Sequence, residues 1–171
     1  MTASYWLPSR RILAGEYPGH WANDGARSRL RRFLDVEVTA FLDLTRPEDG
    51  LEPYRPLLLE EAEKRGVEVV HAPMPIRDMG VPPIEGMRAI LDRLDEWVAA
   101  GRTAYVHCWG GIGRTGTVVG CYLVRQGFDG ATALATVQQL YETTGKHLTT
   151  DPRSPQTGEQ RRFVLEWREP T

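Results

Sequence analysis

The sequence predicts an α/β fold with a single, mostly parallel sheet of about four or five strands and helices on both faces. Short apolar, β-branched segments alternate along the chain with longer segments whose apolar residues recur at helical spacing. The 171 residues fit one ordinary domain, and no repeat or long linker divides them. In sheets of this kind, ligands bind at the carboxyl ends of the strands.

The N-terminal half predicts three strands separated by two helices. Each strand is a short apolar run, and Gly or Pro residues follow it at a turn. The first helix is rich in arginine, and the second ends before Gly66. The predicted strands are 11–14, 36–44 and 67–71, and the predicted helices are 26–34 and 56–65.

The C-terminal half predicts one further strand and four helices. Apolar residues at helical spacing run from Ile84 to Val98, and Gly101 follows at the stop position. The strand 103–108 then leads directly into a glycine-rich loop. The remaining helices are predicted at 115–126, at 129–141 and from Ser154-Pro155 to Trp167.

Charge and cysteine content exclude several classes of protein. The net charge of −2 gives no global attraction to nucleic acid or to an anionic membrane. The two cysteines form neither a CxxC pair nor a disulfide framework, and no apolar stretch has membrane-spanning length. His20, His71 and His147 have no metal-ligand spacing. We therefore expect a cytoplasmic monomer that uses no cofactor or metal and binds neither nucleic acid nor membrane.

The glycine-rich loop carries the strongest chemical signal. Cys108 ends the strand 103–108, and Arg114 opens the next helix. The five intervening residues are Trp109, Gly110, Gly111, Ile112 and Gly113. Three glycines let successive backbone N–H groups point inward, and the helix N-terminus adds to their positive field. The loop is therefore predicted to bind a phosphate.

The same field favours a cysteine thiolate, which is the nucleophilic form of the side chain. Arg114 supplies a planar guanidinium that binds two phosphate oxygens at once. Thr115 follows it, and we expect its hydroxyl to donate a hydrogen bond to the sulfur when the sulfur leaves. A nucleophile and an anion site thus occur together in one short segment.

The loop also matches a dinucleotide-binding fingerprint, Gly111-x-Gly113-x-x-Gly116. That interpretation requires an acidic residue at the end of the next strand, whereas Asp129 follows a helix. It also leaves Cys108 without a role. We therefore reject it.

The pattern His107-Cys108-x5-Arg114-Thr115 resembles the signature of the cysteine-dependent protein tyrosine phosphatase superfamily. The chain length is similar to that of domains in the dual-specificity branch, and the loop resembles that of phosphatases acting on cyclin-dependent kinases. The resemblance implies a single dual-specificity-like phosphatase domain over residues 1–171 with Cys108 as nucleophile. It also implies that His107 supports the backbone around the sulfur.

The same resemblance implies a general acid about thirty residues before the cysteine. Asp78 lies 30 residues before Cys108, in a loop that contains Gly80 and Pro82. Near the C-terminus, the segment 154–160 resembles the family segment whose glutamine positions water. We assign that role to Gln160, with Gln156 as the alternative.

The implied function is hydrolysis of phosphomonoesters on phosphorylated proteins or peptides through a phosphocysteine intermediate. Phosphotyrosine and phosphoserine or phosphothreonine remain equally open. A phosphoinositide or inositol phosphate phosphatase is the main alternative, and a catalytically silent phospho-binding adaptor is another. Trp109 and Ile112 stand where a polyanion site would be expected to add lysines, which favours a phosphoprotein substrate.

Overall fold

A five-stranded sheet between two layers of helices forms the centre of the computed structural model, which describes residues 3–169. The strands are β1 (Ser4–Trp6), β2 (Ile12–Gly15), β3 (Val38–Asp43), β4 (Val70–Pro73) and β5 (Thr103–His107). The helices are α1 (Asn23–Asp35), α2 (Arg55–Glu63), α3 (Ile84–Ala99), α4 (Gly113–Arg125), α5 (Gly130–Glu142) and α6 (Gly158–Glu166). Short 3-10 turns form at Pro47–Asp49 and Lys146–Leu148.

The strand order is β1-β2-β5-β3-β4, and every pair except β1 with β2 is parallel. This confirms the predicted mostly parallel sheet. His107 at the end of β5 pairs with Gly15 of β2 and with Asp43 of β3. The carboxyl ends of three parallel strands therefore meet at one edge, next to the loop that follows Cys108.

Each face of the sheet is covered by its own helices, as predicted. Leu13, Phe41 and Tyr105 project from one face and pack with residues of α1 and α2 such as Phe33 and Leu58. The alternate strand residues pack on the other face with apolar residues of α3, α4, α5 and α6. The central strands β3 and β5 are buried on both sides, and their middle residues are accordingly apolar or aromatic.

The arginine-rich helix α1 is joined to α2 by ion pairs. Arg27 and Arg31 bind the nearly buried carboxylate of Glu61 at 2.9 and 2.6 Å. Arg27 and Arg31 therefore link α1 to α2 on one face of the sheet.

The sequence prediction missed one strand and misplaced several boundaries. The first strand, β1, was not predicted, and β4 begins at Val70 instead of residue 67. The last helix begins at Gly158 because Thr157 is its N-cap, whereas Ser154 bonds elsewhere. Within residues 3–169, no helix combines the length and apolar character needed to cross a membrane.

Candidate active site

Carbonyl groups of the loop after Cys108 accept hydrogen bonds from surrounding parts of the protein. The carbonyl of Trp109 accepts from the backbone N–H of Tyr17 at 2.9 Å. The carbonyl of Gly110 accepts from Lys146 Nζ at 2.7 Å. Further along the loop, the Ile112 carbonyl accepts from Ser154 Oγ at 2.8 Å.

The amide N–H groups of the loop remain available. Within the described residues, Trp109, Gly110, Gly111 and Ile112 donate their N–H groups to no acceptor. Gly111 has a φ of 73°, and a Cβ there would overlap the backbone of Gly15 and Glu16. Only glycine therefore allows this tight turn against the end of β2. Free amides beside the N-terminus of a helix are an arrangement that suits an anion, and here they lie at the start of α4.

Arg114 is almost completely buried, with 1% of its side chain exposed. One terminal nitrogen, Nη1, donates to Asp49 Oδ2 at 2.6 Å and to the carbonyl oxygen of Ile76 at 3.2 Å. The other, Nη2, lies 3.2 Å from Asp78 Oδ1. Asp49 thus fixes one side of the guanidinium, while the opposite side faces the predicted general acid.

Asp78 lies on an exposed loop that α6 anchors. Its side chain is 55% exposed although it pairs with the buried Arg114. Behind it, Gln160 Nε2 donates to the carbonyl oxygen of Gly80 at 3.1 Å, and Thr157 Oγ1 donates to that of Met79 at 3.4 Å. The loop therefore has fixed hydrogen bonds on one side and a solvent-exposed carboxylate on the other.

His107 lies beneath Cys108 and is fully buried. Burial lowers the pKa of His107 from 6.5 to about 4, so the imidazole is neutral at physiological pH. Its Nδ1 lies 3.3 Å from the carbonyl oxygen of Cys108 and must donate to it. Nε2 is then the acceptor for the hydroxyl of Tyr54 at 2.7 Å. These two bonds fix the tautomer and support the strand end that carries the sulfur.

Thr115 and the two glutamines have different positions in the structure. The hydroxyl of Thr115 donates to the carbonyl oxygen of Gly15 at 3.4 Å, since a fully buried hydroxyl needs an acceptor. Donation to the sulfur of Cys108, as expected from the sequence, would require the hydroxyl to give up this acceptor. Gln160 is fully buried and caps α6, whereas Gln156 lines the cavity above Cys108.

A cavity of about 400 Å³ brings many of the predicted site residues together. The predicted residues that line it are Cys108, Trp109, Gly110, Ile112, Gly113, Arg114, Asp78 and Gln156, whereas Gly111, His107, Thr115 and Gln160 lie outside its lining. Glu16, Met79, Lys146 and Thr150 complete its walls. A buried cysteine, an arginine, free backbone amides and an exposed carboxylate therefore face one space of small-ligand size.

Sequence reasoning missed three supporting residues. Asp49 follows β3 at the edge where ligands bind, and its acidic character there was a usable signal. Tyr54 and Lys146 contact the loop region only through the tertiary fold. No local pattern marks either residue.

Fold and site together define the class to which the chain belongs. Residues 5–164 match the family model "PTP-SAK: Swiss Army Knife protein, DSP-PTPase phosphatase domain". The chain therefore belongs to this family of dual-specificity-type phosphatases, which confirms the resemblance drawn from the loop.

Particular relatives agree with this class. Cyclin-dependent kinase inhibitor 3 of Rattus norvegicus is 30% identical over 130 residues, covering 70% of this chain and 59% of that protein. The chain thus matches somewhat more than half the length of this relative. The solved structure of Tk-PTP in its active form is 31% identical, with a TM-score of 0.63, and covers 91% of this chain and 89% of its own.

Kinase associated phosphatase, solved with its catalytic-site cysteine replaced by serine, shares the fold. It has a TM-score of 0.73 at 22% identity and covers 95% of this chain and 92% of its own.

Proposed function

We propose that this protein hydrolyses phosphomonoesters on phosphorylated proteins through a phosphocysteine intermediate. The observation that carries the proposal is the shared cavity: Cys108, the loop amides, Arg114 and Asp78 all line it. Each group has the chemistry that one part of phosphoryl transfer needs.

In the first step, the thiolate of Cys108 attacks phosphorus, and an S–P bond forms as the P–O bond to the leaving group breaks. The loop amides and Arg114 Nη2 bind the equatorial oxygens, on which charge accumulates. Once the arriving phosphate has replaced its carboxylate at Arg114, Asp78 takes up a proton from solvent and donates that proton to the leaving oxygen. Because Asp78 pairs with Arg114 in the free protein, an arriving phosphate replaces this carboxylate at the guanidinium.

In the second step, water attacks the phosphocysteine and Asp78 accepts a proton from it. The P–O bond to water forms, the S–P bond breaks, the thiolate is regenerated and inorganic phosphate is released. We assign the positioning of water to Gln156, because its side chain lines the cavity. Both amide atoms of Gln160 already bond to backbone groups of the Asp78 loop and of the start of α6.

The charges at the rim of the cavity favour a phosphoprotein over an inositol phosphate. Lys146 Nζ bonds Glu16 Oε2 at 2.8 Å as well as the Gly110 carbonyl, so its charge is compensated. Asp78 adds a second carboxylate to the cavity wall. A substrate with several phosphates would meet these carboxylates, whereas a single phosphate fits the loop and Arg114.

Hydrolysis of a small aryl phosphate tests the proposal, with and without EDTA. We expect turnover that EDTA does not change, loss of turnover in Cys108→Ser, and near wild-type turnover in Cys121→Ser. Cys121 is the matched control because it is also buried and unpaired but lies on the apolar side of α4. Turnover in Cys108→Ser equal to that of the wild type would contradict the proposal.

Kinetic measurements distinguish the roles of Gln156 and Gln160. Gln156→Ala should slow hydrolysis of the intermediate, so a burst of aryl alcohol precedes a lower steady-state rate. Gln160→Ala should instead lower thermal stability, since it removes a buried cap of α6. A burst in Gln160→Ala and none in Gln156→Ala would reverse the assignment.

A further inference from the structure

A second cavity lies directly beside the one above Cys108. Its volume is about 360 Å³, close to the 400 Å³ of the first. The two cavities share Glu16 and Trp109 as lining residues. We call the second cavity the flanking groove; its other main walls are Tyr17, His20, Trp21 and Arg29.

Two exposed indoles dominate the flanking groove. The side chain of Trp21 is 86% exposed and that of Trp109 is 57% exposed. The ring of His20 lies beside Trp21, with centroids 5.2 Å apart. Large aromatic side chains left in water at the edge of a site are typical of binding surfaces, because their burial by a ligand is favourable.

The groove is anchored from below. Tyr17 is buried, and its hydroxyl donates to the carbonyl oxygen of Glu52 at 2.6 Å. Its backbone N–H holds the Trp109 carbonyl, so the groove floor and the phosphate loop are one connected structure. A ligand in the groove would therefore have a fixed position relative to Cys108.

The polar groups of the groove do not favour a second phosphate. The carboxylate of Glu16 is occupied by Lys146 and by the backbone N–H of Ala3. Among the described residues, Arg29 is the one arginine or lysine on the walls, and its Nη1 donates to the Gly19 carbonyl at 3.0 Å. With Glu16 and Glu52 also on the walls, the groove suits an uncharged aromatic ring, which can stack on indole and guanidinium faces.

We propose that the flanking groove binds an aromatic side chain of the substrate, close in sequence to its phosphorylated residue. This inference rests on the proposed function, namely that Cys108 acts on phosphoproteins. Trp109 follows Cys108 directly, and an extended peptide advances about 3.3 Å per residue. The aromatic residue should therefore lie within two positions of the phosphorylated residue.

The test uses phosphotyrosine peptides that carry one Phe at position −2, −1, +1 or +2, and a reference peptide with Ala at all four. Binding is measured by calorimetry with the Cys108→Ser protein, and kcat/KM is measured with the wild type. At one of these positions, we expect Phe to improve both quantities about tenfold over the reference peptide.

Two substitutions test whether the preference for Phe arises in the flanking groove. Trp21→Ala should reduce the Phe preference to about twofold or less. Ile84→Ala removes another exposed apolar side chain, on α3 outside both cavities, and should leave the preference unchanged. A full preference in Trp21→Ala, or an equal loss in Ile84→Ala, would overturn the assignment to the groove.

Failure of this inference and failure of the proposed function give different results. Equal binding and equal kcat/KM for all five peptides, with normal aryl phosphate turnover, would overturn the aromatic subsite alone. Absence of aryl phosphate turnover would overturn the proposed function, and the calorimetric preference would still decide the subsite. Tighter binding of a soluble inositol phospholipid headgroup than of every peptide would contradict the peptide assignment.

Discussion

Replacing Asp49 by Asn removes the charge that holds Arg114 in place. Asp49 Oδ2 lies 2.6 Å from Arg114 Nη1, and the two side chains are 8% and 1% exposed. Breaking a buried ion pair by removing one partner costs about 3–5 kcal/mol, because the remaining charge is left buried. Asp78 and the Ile76 carbonyl still contact the guanidinium, so we expect about 2–3 kcal/mol here.

This loss should lower the Tm of a domain of this size by about 4–12 °C. Asp35→Asn is the matched control, since it breaks the Arg65–Asp35 ion pair of the same 2.6 Å length, in which 60% of the Asp35 side chain is exposed. An exposed pair contributes about 0–1 kcal/mol. Thermal and urea unfolding of both variants measure the two losses of stability. Equal destabilisation by the two substitutions would refute the account of Arg114 as a buried, charge-fixed side chain.

Three further predictions follow from the same structure. Because the pKa of His107 is lowered from 6.5 to about 4, the unfolded chain binds a proton between these pH values that the folded protein does not. The free energy of unfolding should therefore fall by about 3 kcal/mol as the pH falls from 6.5 to 4, as measured by urea titration. An equal fall in His107→Asn would show that another group is responsible. Gly111→Ala should abolish aryl phosphate turnover. Gly66→Ala, at a similar positive φ but in open space, should lower the free energy of unfolding by only about 1 kcal/mol and keep activity. Normal activity in Gly111→Ala would contradict the description of the loop as a tight turn that only glycine allows. Asp78→Ala should slow an alkyl phosphate far more than an aryl phosphate with a good leaving group, and equal slowing of both would remove Asp78 as the acid.

The fold could be predicted in outline because its signals are local. Apolar runs marked the parallel strands, and helical spacing marked α3, α4 and α5. The strand β1 escaped because three residues at an antiparallel edge carry no periodicity. The start of α6 was misplaced because Ser154, which looks like an N-cap, bonds the Ile112 carbonyl instead.

The candidate site was predictable to the extent that its residues are adjacent in sequence. Cys108, its loop and Arg114 form one segment whose geometry follows from glycine and a helix start. Asp49 bonds Arg114 across 65 positions, and Tyr54 bonds His107 across 53. Pairs at such separations depend on how helices and strands pack, so residue spacing revealed neither pair, and the usable sequence signal for Asp49 was its acidic side chain after β3.

The central claim is that the sulfur of Cys108 carries the phosphoryl group during turnover. Rapid acid quench of the protein with an aryl phosphate, followed by mass spectrometry of its peptides, measures this directly. We expect one added phosphoryl group on the peptide containing Cys108, more of it in Gln156→Ala, and none in Cys108→Ser. A phosphoryl group on any other residue during turnover, or steady turnover with Cys108 unmodified in both the wild type and Gln156→Ala, would contradict it.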